Sequence, residues 1–124
     1  MVAIALIAIV DDDEAIRLGL SSLARSEGYD VRLFASAEAF LAQVDAIAPD
    51  CVITDIQMPG IGGLEMQYIL KQSHPALPIL VMTAFPEQPI RDKALAAGAI
   101  CFLSKPFDAE TILQFVAAAI SAKS

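Results

Sequence analysis

Four short stretches of the chain are apolar or nearly so, over residues 4–10, 51–54, 79–82 and 100–103. Runs of this length and β-branched content read as strands covered on both faces. A fifth run, Val31-Arg32-Leu33-Phe34, is partly polar and suits a sheet edge. Between the runs the apolar residues change to helical spacing. Ile16, Leu20, Leu23 and Ala24 predict a helix over 14–27, and Phe40, Leu41 and Val44 one through about residue 46. Leu64, Tyr68 and Ile69 face inward on a third helix over 64–72, a fourth spans 89–97, and a fifth follows Asp108 with Ile112, Leu113, Val116 and Ile120 inward. The punctuation agrees with this division. Gly28 and Gly98 lie where C-terminal glycine caps belong, Ser36 and Asp108 can cap helix N-termini, and Pro89 suits a first turn. Pro49, Pro59-Gly60, the flexible Gly62-Gly63 pair, His74-Pro75 and Pro78 mark turns.

Five strands alternating with five helices imply an α/β fold, a doubly wound (βα)5 unit whose parallel sheet carries helices on both faces. The first, third and fourth strands are the most apolar and belong at the centre, the second and fifth at the edges. That sorting selects the flavodoxin-like order 2-1-3-4-5, with the switch point between strands 1 and 3. With no linker or repeat, residues 1–124 read as a single domain.

Composition narrows the function classes. Eight basic against 15 acidic residues give a net charge of −7, which argues against direct contact with nucleic acid. The opening apolar run lacks a basic flank and a cleavage segment, is about half a membrane span, and runs into Asp11-Asp12-Asp13. A cytoplasmic protein that makes no membrane contact is expected. Cys51 and Cys101 each sit inside an apolar run and are expected to be reduced core thiols.

The polar residues that follow the apolar strands are Asp11, Asp12 and Asp13, then Asp55, Thr83 and Lys105. In a parallel sheet these strand ends share one edge. Carboxylates a few ångströms apart repel by roughly 4 kcal/mol per pair at an effective dielectric of about 20, so a cation belongs among them. An acidic, all-oxygen pocket suits Mg²⁺, with Mn²⁺ as a substitute. Together with an ammonium and a hydroxyl it makes a site for phosphoryl transfer, in which an Asp can be the nucleophile. Asp55, standing alone just before the Pro59-Gly60 turn, is the candidate.

At this point the chain resembles a family. V-D-D-D-E-A over 10–15, V-I-T-D-I-Q-M-P-G-I-G-G-L-E over 52–65, I-L-V-M-T-A over 79–84 and A-G-A-I-C-F-L-S-K-P-F over 97–107 are similar to the receiver domain of bacterial two-component response regulators, in style those of LuxR-type regulators. The resemblance implies that Asp55 is the phospho-acceptor, with Mg²⁺ held by Asp11, Asp12, Asp55 and the backbone carbonyl of Gln57. It implies further that Lys105 pairs with the phosphoryl group across a cis Lys105-Pro106 bond, that Thr83 is the switch hydroxyl, and that Phe102 changes rotamer with it. The implied donor is a sensor histidine kinase or phosphotransfer protein. The implied output is a change of the face built from the fourth helix, fifth strand and fifth helix, through which a homodimer can form. Such a domain is not an enzyme beyond its own phosphorylation and dephosphorylation. It is either a stand-alone regulator or a receiver from a larger protein.

Two other readings use the same residues. Asp11-x-Asp13 with Thr83 and Lys105 also resembles the haloacid-dehalogenase phosphatases, but the cap insertion and later acidic pair are absent and Asp55 goes unexplained. A degenerate receiver acting only as a protein-binding module would not need its acids, Thr83 and Lys105 intact. Three acids after strand 1 would also repel the phosphate of a flavin. Asp13 is expected to be a helix N-cap rather than a ligand. His74 reads as a surface residue, and Met58, Met66 and Met82 as packing. Phe85, two places after Thr83, together with Gln57, two places after Asp55, is expected to shield an acyl phosphate from water and slow autodephosphorylation.

Overall fold

The computed structural model describes residues 4–84, 87–105 and 108–123. The elements run β1 (Leu6–Val10), α1 (Glu14–Ser26), β2 (Asp30–Phe34), α2 (Ala37–Ile47), β3 (Cys51–Asp55), α3 (Gly63–Ser73), β4 (Ile79–Thr83), α4 (Gln88–Ala96), β5 (Cys101–Ser104) and α5 (Ala109–Lys123). All strand pairings are parallel, in the order β2-β1-β3-β4-β5. Both the order and the edge positions are those expected from the apolar content of the runs.

Alternation along each strand divides the core into two layers, because successive side chains leave opposite faces of a sheet. Ala8, Val10, Val52 and Val81 meet Phe40 and Val44 of α2 and Met66 and Leu70 of α3 on one face. Ile7, Ile9, Ile53, Leu80 and Met82 meet Leu20 and Ala24 of α1 and Ile112 and Val116 of α5 on the other. Both cysteines are buried and free, and burial pushes the Cys101 thiol up to about 11.

Local signals place most boundaries. Asp13 accepts from the N–H groups of Ala15 and Ile16 and Ser36 from that of Ala39, so both act as N-caps. Asp108 accepts from Thr111 N–H at 3.2 Å. At the end of α4, Gly98 takes φ +96°, with Gly98 N–H on Leu95 O and Ala99 N–H on Ala94 O, the paired bonds of a glycine-terminated helix.

Three details differ from the expectation. β1 starts at Leu6 because Ile4 has no ladder partner and is 65% exposed. β5 starts at Cys101 rather than at residue 100, since Ile100 pairs only through its N–H with Ile79 O. In α3 the inward face is Gly63, Met66, Gln67 and Leu70, while Tyr68 is 63% exposed. Apolar spacing set that stripe wrongly because two of the buried positions are a glycine and a glutamine.

Candidate functional site

The register fixes the site. Val10 pairs with Thr54, Asp55 with Met82, and Thr83 with Ser104, so Asp11, Asp55, Thr83 and Lys105 all lie at the carboxyl edge of neighbouring strands. Asp55 is the last residue of β3 rather than the first of a loop, which ties its backbone to the ladder. Asp11, Asp55 and Thr83 are buried, and Asp12 is exposed. Thr54 secures the strand end by donating its hydroxyl to Asp55 O at 3.0 Å.

Lys105 crosses from beyond β5 to reach two carboxylates. Its Nζ donates to Asp11 Oδ2 at 2.9 Å and lies 3.4 Å from Asp55 Oδ1. Burial alone would pull this ammonium down, but the hydrogen bond and charge of Asp11, with Asp55 adding to them, raise it above its usual value. For Asp55 the balance also runs upward. Burial and then the charge of Asp11 raise its carboxyl above the ordinary range, against the opposing pull of Lys105 and the Gln57 N–H.

Carboxylate oxygens of Asp11, Asp12 and Asp55 lie within 4.8 Å of one another. Among the described residues Lys105 is the one cationic side chain paired with these carboxylates, a short supply of positive charge for three acids. The donor set is all oxygen, two of its members are buried, and the exposed Asp12 leaves an open side. That combination fits a hard divalent cation that keeps part of its water shell.

Asp11 is held at every polar atom. Its N–H donates to Phe34 O at 3.1 Å and its carbonyl accepts from Arg17 Nη1 at 2.6 Å. Oδ1 accepts from Asp13 N–H at 2.9 Å, and Oδ2 is the Lys105 partner. Asp13 is therefore the N-cap expected of it, and its N–H in addition holds the Asp11 carboxylate.

The loop after Asp55 is packed rather than loose. Gly63 N–H donates to Ile56 O at 2.8 Å, and a Cβ on Gly63 would meet Asp55 O and come within 2.8 Å of Ile56 Cα. Gly60 has φ +76°, and a side chain there would run into the Glu38 carboxylate of α2. The Gly62-Gly63 pair is expected to be flexible, whereas Gly63 is a requirement of close backbone approach. Arg17 and Glu38 carried no sequence signal. They are an ordinary helix-surface pair of residues until the fold is known.

Phe102 lies on β5 opposite Val81, partly buried against the core layer that contains Ala94, Ala99 and Ile90. This aromatic is neither fully packed nor free of the α4 side. Met66 and Met82 are buried and Met58 packs on the core, as expected of them. His74 sits at the opposite end of the sheet and bonds Asp45 of α2 at 2.8 Å. The expectations for Phe85 and for the Lys105-Pro106 bond fall on Phe85 and Pro106, which lie outside the described residues.

Among the described residues no helix is long and apolar enough to cross a membrane. Residues 7–117 match the model of the response regulator receiver domain. The transcriptional regulatory protein FixJ of Bradyrhizobium diazoefficiens is 37% identical over 112 residues, covering 90% of this chain and 55% of FixJ. The response regulator protein TodT of Pseudomonas putida is 41% identical over 112 residues, covering 90% of this chain and 49% of TodT. This chain thus spans about half the length of these curated relatives. The crystal structure of a CheY-like response regulator receiver domain protein from Methanospirillum hungatei superposes with a TM-score of 0.93 at 25% identity, covering 98% of this chain and 97% of that one. A fold, a strand-end arrangement and a run of relatives that all lead to the same place establish that the chain belongs to the response regulator receiver domain family.

Proposed function

We propose that Asp55 is the phosphoryl acceptor of this receiver and that a partner's phosphohistidine is the donor. The observation that carries the reading is the convergence of Asp11, Asp12, Asp55 and Lys105 on one point at the carboxyl edge of the sheet. An Asp55 oxygen attacks phosphorus as the P–N bond to the donor imidazole breaks. The electron pair leaves with the imidazole nitrogen, which then takes up a proton, and a P–O bond to Asp55 forms. Fixed positioning and charge stabilisation supply most of the catalysis in such a displacement. Lys105, already 3.4 Å from Asp55 Oδ1, follows the negative charge as it moves onto the phosphoryl oxygens. Thr83, at the end of the adjoining strand, offers a hydroxyl to the same group.

Asp11, Asp12, Asp55 and the Gln57 carbonyl would hold Mg²⁺, or Mn²⁺ in its place. Bound there, the cation would neutralise acidic charge and stabilise the phosphoryl oxygens. An all-carboxylate cluster with a single ammonium supports this assignment.

The donor reaches Asp55 beside a groove of about 380 Å³ between α1 and α5, lined by Ala15, Ile16, Leu20, Leu23, Lys105 and Ala109. It is apolar along α1 and ends at Lys105, so a helix carrying the phosphohistidine would seat there with its reactive end toward Asp55. On the opposite flank, Thr83 turning toward the phosphoryl group frees space for Phe102 to move inward. That biases a two-state equilibrium of the α4-β5-α5 face, the surface proposed for output and for homodimer formation. The domain signals by carrying the phosphoryl group rather than by turning over a substrate. In a longer protein, an attached domain would make any contact with DNA.

The test is intact mass after incubation with acetyl phosphate and Mg²⁺. One phosphoryl group on the wild type, absent from Asp55→Asn and absent with chelator, is the expected result. A single addition that persists in Asp55→Asn would overturn the assignment.

A further inference from the structure

We infer that Arg17 is a positioning residue for the divalent cation, acting through the peptide bond between Asp11 and Asp12. The inference rests on the proposed role of those two acids as its ligands. Arg17 lies one turn into α1, half-buried, and its Nη1 donates to Asp11 O at 2.6 Å. That carbonyl belongs to the 11–12 peptide plane, and a planar peptide moves as one unit. Fixing its oxygen therefore fixes the direction in which the chain enters Asp12.

Asp12 needs such help. The Asp11 carboxylate is gripped at both oxygens, by Asp13 N–H and Lys105 Nζ. The Asp12 carboxylate is exposed, and among the described residues it makes no side-chain hydrogen bond, yet one of its oxygens stands within 4.8 Å of those of Asp11 and Asp55. Its aim comes from the backbone alone. Phe34 O holds the Asp11 N–H on one side of that residue, and Arg17 holds the carbonyl on the other. Releasing the carbonyl lets the 11–12 peptide rotate and the third ligand wander, while β1 and its ladder remain intact.

Two explanations of an Arg17 effect predict opposite signs. As a nearby positive charge, Arg17 repels a divalent cation, so its removal would tighten binding. As a positioning residue, its removal loosens the ligand set. Residues that orient metal ligands from behind typically change affinity by roughly 10–100-fold when replaced.

The experiment is calorimetric titration of the unphosphorylated protein with Mg²⁺ for the wild type, Arg17→Met, Arg17→Lys and Arg25→Met, with thermal unfolding in chelator as the check on folding. Arg25 lies on the same helix and bonds Ser21, so its replacement removes the same charge without touching Asp11. The expected result is roughly ten-fold weaker Mg²⁺ binding in Arg17→Met. Arg17→Lys, which keeps one donor, recovers part of it, and Arg25→Met stays at or slightly tighter than the wild type. At saturating Mg²⁺ the phosphorylation rate of Arg17→Met from acetyl phosphate returns close to that of the wild type. Unchanged or tighter binding in Arg17→Met, or equal weakening in Arg25→Met, would overturn the inference. If Arg17→Met fails to fold, Arg17→Gln, whose donor is shorter, takes its place: Mg²⁺ binding weaker than in Arg17→Lys supports the donor role, and binding equal to or tighter than the wild type overturns it. A wild type that binds no Mg²⁺ would instead sink the proposed function on which the inference stands.

Discussion

Replacing Asp55 by Asn should make the metal-free domain more stable at neutral pH. The Asp55 oxygens lie within 4.8 Å of those of Asp11 and Asp12. At an effective dielectric of about 20, each such pair costs about 3–4 kcal/mol, the exposed Asp12 pair less because water screens it. Lys105 at 3.4 Å returns about 5 kcal/mol. Desolvation of a buried carboxylate adds to the cost side. Screening of the Asp12 pair and desolvation of Asp55 act in opposite directions, so the net penalty for an ionised Asp55 stays near the unscreened Coulomb sum, about 1–3 kcal/mol. Asn keeps the shape and can still accept from the Gln57 N–H, so it removes the charge and little else. For a domain of this size the gain corresponds to roughly 4–12 °C in Tm. The pH dependence follows from the raised Asp55 carboxyl. A group whose pKa rises on folding favours the folded state fully below its unfolded value, here 3.8, and loses that favour as pH climbs through the raised value. The advantage of Asp55→Asn is therefore largest at neutral pH and shrinks as pH falls toward 4. Adding Mg²⁺ raises the wild type more than the variant, since binding to the folded state alone stabilises it by mass action. Thermal unfolding of both proteins at pH 7 and pH 4, with chelator and with Mg²⁺, reads all of this. An Asn variant no more stable than the wild type at pH 7 in chelator, or a gain of equal size at both pH values, would refute the reasoning.

Four further outcomes are expected. Gly63→Ala gains helix propensity but forces a Cβ against the Asp55–Ile56 backbone, so denaturant unfolding should show a loss of about 1–3 kcal/mol, with slower phosphoryl uptake. Gln67 donates to Ala94 O at 2.7 Å, while its buried Oε1 has no partner among the described residues. Ala94 O keeps its bond from Ala99 N–H, so Gln67→Met should be stabilising by about 1 kcal/mol in the same assay. Asp13→Ala loses the α1 cap and should cost about 1 kcal/mol, yet still take up one phosphoryl group in the intact-mass assay. Phe85→Ala should shorten the half-life of the phosphorylated protein, measured by phosphate release, and an unchanged half-life would remove Phe85 from the shielding of Asp55.

The legible part of this chain is the part written by burial. Uninterrupted apolar runs such as Ile79 to Met82 mark central strands, and the two-sided core follows from them. Once the strands are parallel and ordered, the residue after each apolar run must face the same edge, which is why Asp11, Asp55, Thr83 and Lys105 could be grouped beforehand. What stayed hidden depends on contacts between elements. Gly63 is defined by the end of β3, where an added Cβ would come within 2.8 Å of Ile56 Cα, and Gln67 occupies an inward position that an apolar count passes over. Arg17 is one cation among eight until the β1–α1 turn brings the Asp11 carbonyl to it.

The most direct test of the central claim is chemical capture of the acyl phosphate. Borohydride reduces an aspartyl phosphate to homoserine, so treating the phosphorylated protein and sequencing its peptides marks the residue that carried phosphorus. Homoserine at position 55, dependent on Mg²⁺ during phosphorylation, is the predicted result. Homoserine at position 11 would instead make Asp11 the nucleophile and return the chain to the phosphatase reading, and no homoserine on a protein that had gained phosphoryl mass would rule out an acyl phosphate altogether.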